Sequence, residues 1–405
     1  MIAADFWAAY AQAAKTAVGF FWKAGWAFVL GYTISGAIKA FVPRKQLVAH
    51  MGDADVESVS LATVFGAISS SCSFAALAAA RSLVQKGAHF VAAVAFMFAS
   101  TNLVIELGIL ILIFLGWQFL VAEIIGGLIL IVISSMLIKV TYPQRWIEEA
   151  REKVAHDAAS DNEDFDWKER VRSLDGWSRV GSGFVGEWAM VWQEILIGFT
   201  LAGFIAVFVP ASFWQALFLT DLSAAGSASF WVVLENAAIA PFVAAATFIG
   251  SMGNIPLATV LSSGGVMFVG IMGFIYADLM VPPLVKVNAK YYGWPVALYI
   301  AAVMYVSIVC TAITLHYGFL AAGATPKSDR VASDVVQFGF DYTFYLNIGA
   351  LVIAATMLWL HRKRREFGPA EDGEHDHHGK NGIGLQDVVT GLCVLALCGG
   401  GLALL

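Results

Sequence analysis

The sequence predicts an all-α, polytopic integral membrane protein built from two repeats of inverted topology. Three observations predict it. Of 405 residues, 59% are hydrophobic and only 13% are charged, roughly half the charge of a water-soluble domain. The apolar residues gather in runs of about 20, the length of a helix that crosses the hydrocarbon core. Thirteen residues, Gly31-Tyr32-Thr33-Ile34-Ser35-Gly36-Ala37-Ile38-Lys39-Ala40-Phe41-Val42-Pro43, return 167 positions later as Gly198-Phe199-Thr200-Leu201-Ala202-Gly203-Phe204-Ile205-Ala206-Val207-Phe208-Val209-Pro210, with seven identities. A duplicated unit inside an apolar chain points to two opposed halves around a central site, the plan of many secondary transporters.

The elements follow in order. Residues 1–17 hold Asp5 and no basic run, so a cleaved signal is not expected. Phe6, Trp7 and Tyr10 suit a short helix lying at the membrane surface. Eight full spans are predicted, at about 18–42, 88–115, 118–140, 188–209, 266–287, 294–317, 340–361 and 384–405. Two further apolar segments are interrupted where a span is driest. Residues 58–85 contain Ser69-Ser70-Ser71-Cys72-Ser73, and 229–264 contain Gly250-Ser251-Met252-Gly253-Asn254-Ile255-Pro256. A polar break in lipid is tolerated only where protein buries it or a cavity meets it. Both segments are therefore read as re-entrant hairpins, each made of two half-helices meeting at a turn. The plainer reading is one kinked span each.

The basic residues favour the hairpins. With 141–187 in the cytoplasm, 20 of the 24 Lys and Arg fall on the inner side, as the positive-inside rule asks. Making either hairpin a full span would invert everything after it. Repeat one is then 18–140 and repeat two 188–317, with 141–187 a cytoplasmic linker and 318–339 an outer loop. The last two spans lie outside the repeat. A cytoplasmic segment, 362–383, joins them and carries Glu374-His375-Asp376-His377-His378, which suits a solvated linker better than a metal site.

The two hairpin turns should meet near mid-depth. There Ser71, Cys72 and Ser73 face Gly253, Asn254 and Pro256, where half-helix ends present partial charges to a polar solute or ion. Cys72 is the soft ligand of the set, suited to thiophilic partners; the plainer reading is a small buried residue. The span after each hairpin carries a polar group at matched depth. Asn102 and Glu106 lie on one helix face in the first, and Asp278 lies in the second. A carboxylate at mid-membrane needs a partner or a cavity, so Asp278 and Glu106 are candidates for ion coupling, or for a polar clasp between helices. Glu123, Glu194 and Glu235-Asn236 are placed nearer water. No nucleotide, hydrolase or zinc motif occurs. An enzyme is thus not expected, nor a cofactor, a catalytic residue or a nucleic-acid partner.

These residues also carry a likeness. Ser71-Cys72-Ser73-Phe74-Ala75-Ala76, Lys86-Gly87-Ala88 and Ala95-Phe96-Met97-Phe98-Ala99-Ser100, with Gly253-Asn254-Ile255-Pro256, Gly264-Gly265 and Gly273-Phe274-Ile275-Tyr276-Ala277-Asp278, resemble the motifs of a bacterial predicted-permease family that includes the organoarsenical efflux permeases (ArsP-like). The likeness covers about 18–317. Against the family pattern, Ser70 stands for a first cysteine and Ala76 for a proline, and Asp278 adds a charge. The resemblance implies an inner-membrane permease moving a small soft or polar solute outward. Its partners would be that solute or an ion and the lipid bilayer, with a homo-oligomer or separate subunit left open. Two other readings stand beside it: a membrane-embedded thiol redox protein using Cys72, and a non-transporting membrane subunit.

Overall fold

The computed structural model describes residues 2–41, 51–53, 55–69, 73–156, 167–219, 229–247, 249–326, 338–364 and 385–403. Every regular element among them is helical. The chain opens with α1 (Ile2–Phe41), which takes in residues 2–17 without a break. Next come α2 (Val56–Ser69), α3 (Ser73–Gln85), α4 (Phe90–Asn102), α5 (Ile105–Phe114) and α6 (Trp117–Thr141). Two surface helices follow, α7 (Gln144–His156) and α8 (Trp167–Arg172), then the long α9 (Leu174–Phe208) and a short α10 (Ala211–Leu217). The second half continues with α11 (Phe230–Thr247), α12 (Ser251–Ser263), α13 (Phe268–Ile275), a 3-10 turn at Asp278–Met280, α14 (Pro282–Tyr292) and α15 (Trp294–Ala321). Finally come α16 (Tyr342–Arg364) and α17 (Leu385–Ala403).

Seven helical stretches are long and apolar enough to cross a membrane: Asp5–Phe41, Phe90–Phe114, Trp117–Thr141, Leu174–Phe208, Phe230–Thr247, Trp294–Ala321 and Tyr342–Arg364. The count differs from eight for physical reasons. The expected span 266–287 is two short helices around the 3-10 turn, because Pro282-Pro283 cannot continue α13. The described part of the last expected span is a shorter apolar helix. Conversely α11, read as a hairpin arm, qualifies by itself at 18 residues.

The echoed segments lie in α1 and α9, which pack along one another antiparallel. Their closest approaches are reciprocal. A Cβ on Gly36 would lie 2.7 Å from Val180 O and 3.1 Å from Phe184 N; one on Gly203 would lie 2.8 Å from Ala13 O and 2.6 Å from Ala17 N. Each residue of the first set stands 167 positions from its counterpart in the second. The aromatic contacts repeat the relation, Tyr32 on Trp188 at 5.3 Å and Phe199 on Phe21 at 4.8 Å. Glycine is needed at both crossings, since any side chain would collide with backbone.

The rest of the two halves also matches. α2 and α3 pack on α4, as α11 and α12 pack on α13; α4 and α5 pack on α6, as α13 and α14 pack on α15. Across the halves α12 meets α5, α3 meets α14, and α6 lies on α15. Each interrupted segment has flanks that touch. His89 N–H donates to Met51 O at 2.7 Å, closing 51–89. In the second half Trp214 and Phe218, before α11, lie against Gly264 and Gly270, after α12.

α16 and α17 pack on the α1–α9 pair. Polar contacts fix both ends of α16: Lys23 Nζ to Asp341 Oδ2 at 2.7 Å, and Arg364 Nη1 to Asp175 Oδ1 at 2.5 Å. The mid-helix lysine of α1 is thereby paired, which the cost of a lone cation at that depth requires.

Candidate functional site

The polar centre starts from two short helices that begin at the interruptions. α3 begins at Ser73, whose Oγ donates to Asp278 Oδ2 at 3.3 Å. Asp278 is fully buried, opening the 3-10 turn between α13 and α14, and its Oδ1 has no partner among the described residues. Thr101 of α4 borders the same carboxylate. Asn102 donates to Thr101 Oγ1 at 3.2 Å and to Phe98 O at 3.0 Å, and its buried Oδ1 has no partner among the described residues. Side chains at Ser100, Thr101 and Asn102 all bond carbonyls one turn back. This competition with the backbone ladder, which loosens a helix, precedes the break at Leu103–Val104, where no proline is present.

α12 is built alike. Asn254 Oδ1 accepts from Thr247 Oγ1 at 3.2 Å and its Nδ2 donates to Ile249 O at 3.3 Å, so the side chain ties the turn. Gly253 and Gly198 touch backbone to backbone; a Cβ on Gly198 would lie 2.8 Å from Gly253 Cα. Pro256, buried in α12, has no N–H, leaving Met252 O without its helical donor. The Met252 sulfur takes Tyr32 OH at 3.3 Å. Glu194 of α9 sits over the start of α12, where a Cβ on Gly250 would come 2.4 Å from Oε2. Both helix starts thus face a carboxylate, the charge that the N-terminal end of a helix dipole favours.

The acidic groups form a set. Glu123 of α6 and Glu194 both lie within electrostatic reach of Asp278. Glu123 is 1% exposed and neither carboxylate oxygen has a partner among the described residues. Tyr276 OH donates to the carbonyls of Ala122 and Glu123, each at 3.2 Å. A Cβ on Gly126 would lie 2.2 Å from that hydroxyl, so the glycine makes room for the ring.

Of the residues the sequence singled out, the fold unites Ser73, Asp278 and, through Thr101, Asn102. Gly253, Asn254 and Pro256 build the other helix start. Glu106 is buried but lies apart, against Gly31 of α1. Ser71 and Cys72 fall outside the described residues, as does the His-rich segment. Two placements are corrected. Glu123, expected near water six residues into its span, is enclosed, and Asn236, expected at the interface, is buried and donates to Phe218 O at 2.7 Å. Glu194 is half-buried, at the start of α12. Gly126-Gly127, one turn beyond Glu123, was the available signal of close packing there.

Residues 9–317 match the model of the ArsP-type family described as predicted permease. The chain is also 36% identical over 354 residues to "Putative permease Rv2963" of Mycobacterium tuberculosis (strain ATCC 25618 / H37Rv), an alignment covering 83% of this chain and 86% of that protein. No solved structure matches it. With the family match running through both helix starts and all three clustered carboxylates, the chain belongs to the predicted permease family.

Proposed function

We propose that this permease is a secondary transporter that exports a small soft or polar solute across the bacterial inner membrane, coupled to an ion at Asp278. One observation carries the reading. Two short helices from opposite halves of the chain begin beside carboxylates, Asp278 buried and Glu194 half-buried, that feel one another. In a multi-pass protein, helix starts buried at mid-depth cost free energy unless they serve a ligand. The reciprocal α1–α9 contacts and the matched packing of the halves support inverted repeats. The closed ends of 51–89 support a hairpin that enters and leaves on one side, and the return of α12 to α10 supports its twin.

In this reading Ser71, Cys72 and Ser73 line one side of the site. Gly253, Asn254 and Pro256 shape the other. A thiol beside hydroxyls suits a soft solute such as a trivalent organoarsenical. The test is transport in membrane vesicles using methylarsenite and a panel of other toxic solutes. Asp278→Asn is expected to slow solute movement about tenfold or more, equivalent to about 1.4 kcal/mol, and Cys72→Ser to slow the thiophilic member selectively. Wild-type rates from both variants remove the site.

A further inference from the structure

We propose that the solute's path runs along two twin seams, each shut by a contact between the halves: α3 on α14 at Arg81 and Tyr291, and α12 on α5 at Thr259 and Phe114. This rests on the transporter reading and adds to it a route and two gates.

The inner seam begins at the polar centre. Ser73, the first residue of α3, donates to Asp278 Oδ2 at 3.3 Å. Two helical turns on, the Arg81 guanidinium lies over the Tyr291 ring, 4.7 Å from its centroid. Tyr291 lies at the end of α14, on the side read as cytoplasmic. Positions eight apart fall on one stripe of a helix, so the two contacts mark the ends of a single seam. Between them α3 buries Ala76, Leu77 and Ala80. α14 buries Leu284 and Asn288, which share the Tyr291 face at i, i+4 and i+7.

Asn288 is the odd member of this seam. It is 2% exposed, and its Oδ1 has no partner among the described residues. A buried acceptor left unmet in a permanent interface is a standing cost. In a seam that parts, water or a donor on the solute meets it.

The other half repeats the plan. α3 and α12 each run 13 residues and lead to a positive-φ glycine, Gly87 and Gly265. Ser73 and Arg81 then correspond to Ser251 and Thr259, 178 positions on. α5 and α14 lead to positive-φ Gly116 and Gly293, which pairs Phe114 with Tyr291 and Ile111 with Asn288, 177 positions apart. The twin of Arg81 on Tyr291 is thus Thr259 on Phe114. That contact is present: Thr259 Oγ1 reaches Phe114 O at 3.3 Å, as it does Ile255 O in its own helix. The outer seam is apolar where the inner one carries Asn288, since Ile111 is fully buried there.

Both gates have a hinge. Val104 precedes α5 and Val281 precedes α14, again 177 positions apart. Both are extended, at φ −95°, ψ 148° and φ −62°, ψ 138°. A half-helix joined through an extended residue can pivot while its own hydrogen bonds stay intact. α7, with Ile147 and Ala150 buried, packs on both α3 and α14 and so crosses the inner mouth.

The test is labelling with a membrane-impermeant maleimide. It is applied to vesicles of either orientation bearing the full chain, and read at the target position by peptide mass spectrometry. Asn288→Cys should react from the cytoplasmic side, and roughly tenfold faster once Arg81→Gln or Tyr291→Ala removes the latch. Tyr291→Phe keeps the ring and Arg81→Lys keeps the cation, so both should stay near the parent rate and guard against misfolding. Ile111→Cys should react from the outer side, roughly fivefold faster with Thr259→Val and more slowly with Arg81→Gln. Rates at position 288 unchanged by both latch variants, labelling there from the outer side, or one variant speeding both positions overturns the gates. If both positions follow their latches while wild-type vesicles move no member of the solute panel, the transporter reading fails and the gates stand.

Discussion

Asn254 acts on the backbone: both ends of its amide are spent on the turn that starts α12, on Thr247 and Ile249 O. It is a positioning residue for whatever the turn meets. Asn254→Ala should cost about 1–3 kcal/mol, since two buried groups lose their partners. Thermal unfolding in detergent should fall accordingly, and a midpoint equal to wild type would mean the turn holds itself. The same comparison of residue and surroundings explains what could be read beforehand. Asp278 was legible because a charge in the middle of an apolar run has few innocent explanations. Glu123 was hidden. Six residues from Trp117 it looks interfacial, and it is tertiary packing, Tyr276 included, that encloses it. Glu106 was equally conspicuous and equally buried, yet its place is beside Gly31, because a helix-face argument says which residues align and not which neighbour they meet.

At the scale of elements, the interruptions were legible and their handling was not. Serine- and glycine-rich breaks in apolar runs announced where α2 meets α3 and α11 meets α12. The break between α4 and α5 has no proline, and it follows three side chains that bond their own helix. α16 provides a case that sequence could not anticipate, because Lys23 and Asp341 stand 318 positions apart. The Lys23 ammonium, by its hydrogen bond first and its charge second, holds the Asp341 carboxyl below the usual carboxylate range. A carboxyl lowered by folding stabilises the fold above its unfolded value, about 3.9. That stabilisation is lost as pH falls through the folded value. Asp341→Asn should therefore lower the thermal midpoint at neutral pH. The gap from wild type should close as pH drops below about 4. A gap that stays constant with pH would mean that the carboxylate's charge contributes nothing to docking α16.

For the molecule as a whole, what the sequence could not reveal is where its symmetry stops. The 167-residue echo marked α1 and α9 as counterparts, and the fold packs them together with close approaches that recur at both ends. One contact has no twin. Near the end assigned to the cytoplasm, Lys39 of α1 pairs with Glu187 of α9, and Ser35 Oγ donates to the same oxygen at 3.3 Å. The counterpart positions at the other end are Ala206 and Phe20, so those two residues cannot form an ion pair. Glu187 is 1% exposed and its lysine is 25% exposed on the side chain. Removing one partner strands a buried charge, at a cost of about 3 kcal/mol, while removing both costs less. Under the proposed transport function, which needs opening to two sides in turn, a contact present at one end only biases the resting state toward closure there. Lys39→Met should loosen that end. A cysteine placed at Ala40, which is 5% exposed, should then react with a water-soluble thiol reagent roughly tenfold faster, the change expected when about 1.4 kcal/mol of closure is lost. Lys39→Met combined with Glu187→Gln should fall between that rate and the parent's. Equal rates in all three backgrounds would mean the pair fastens two helices that never part, and the alternation must then run between the hairpins instead.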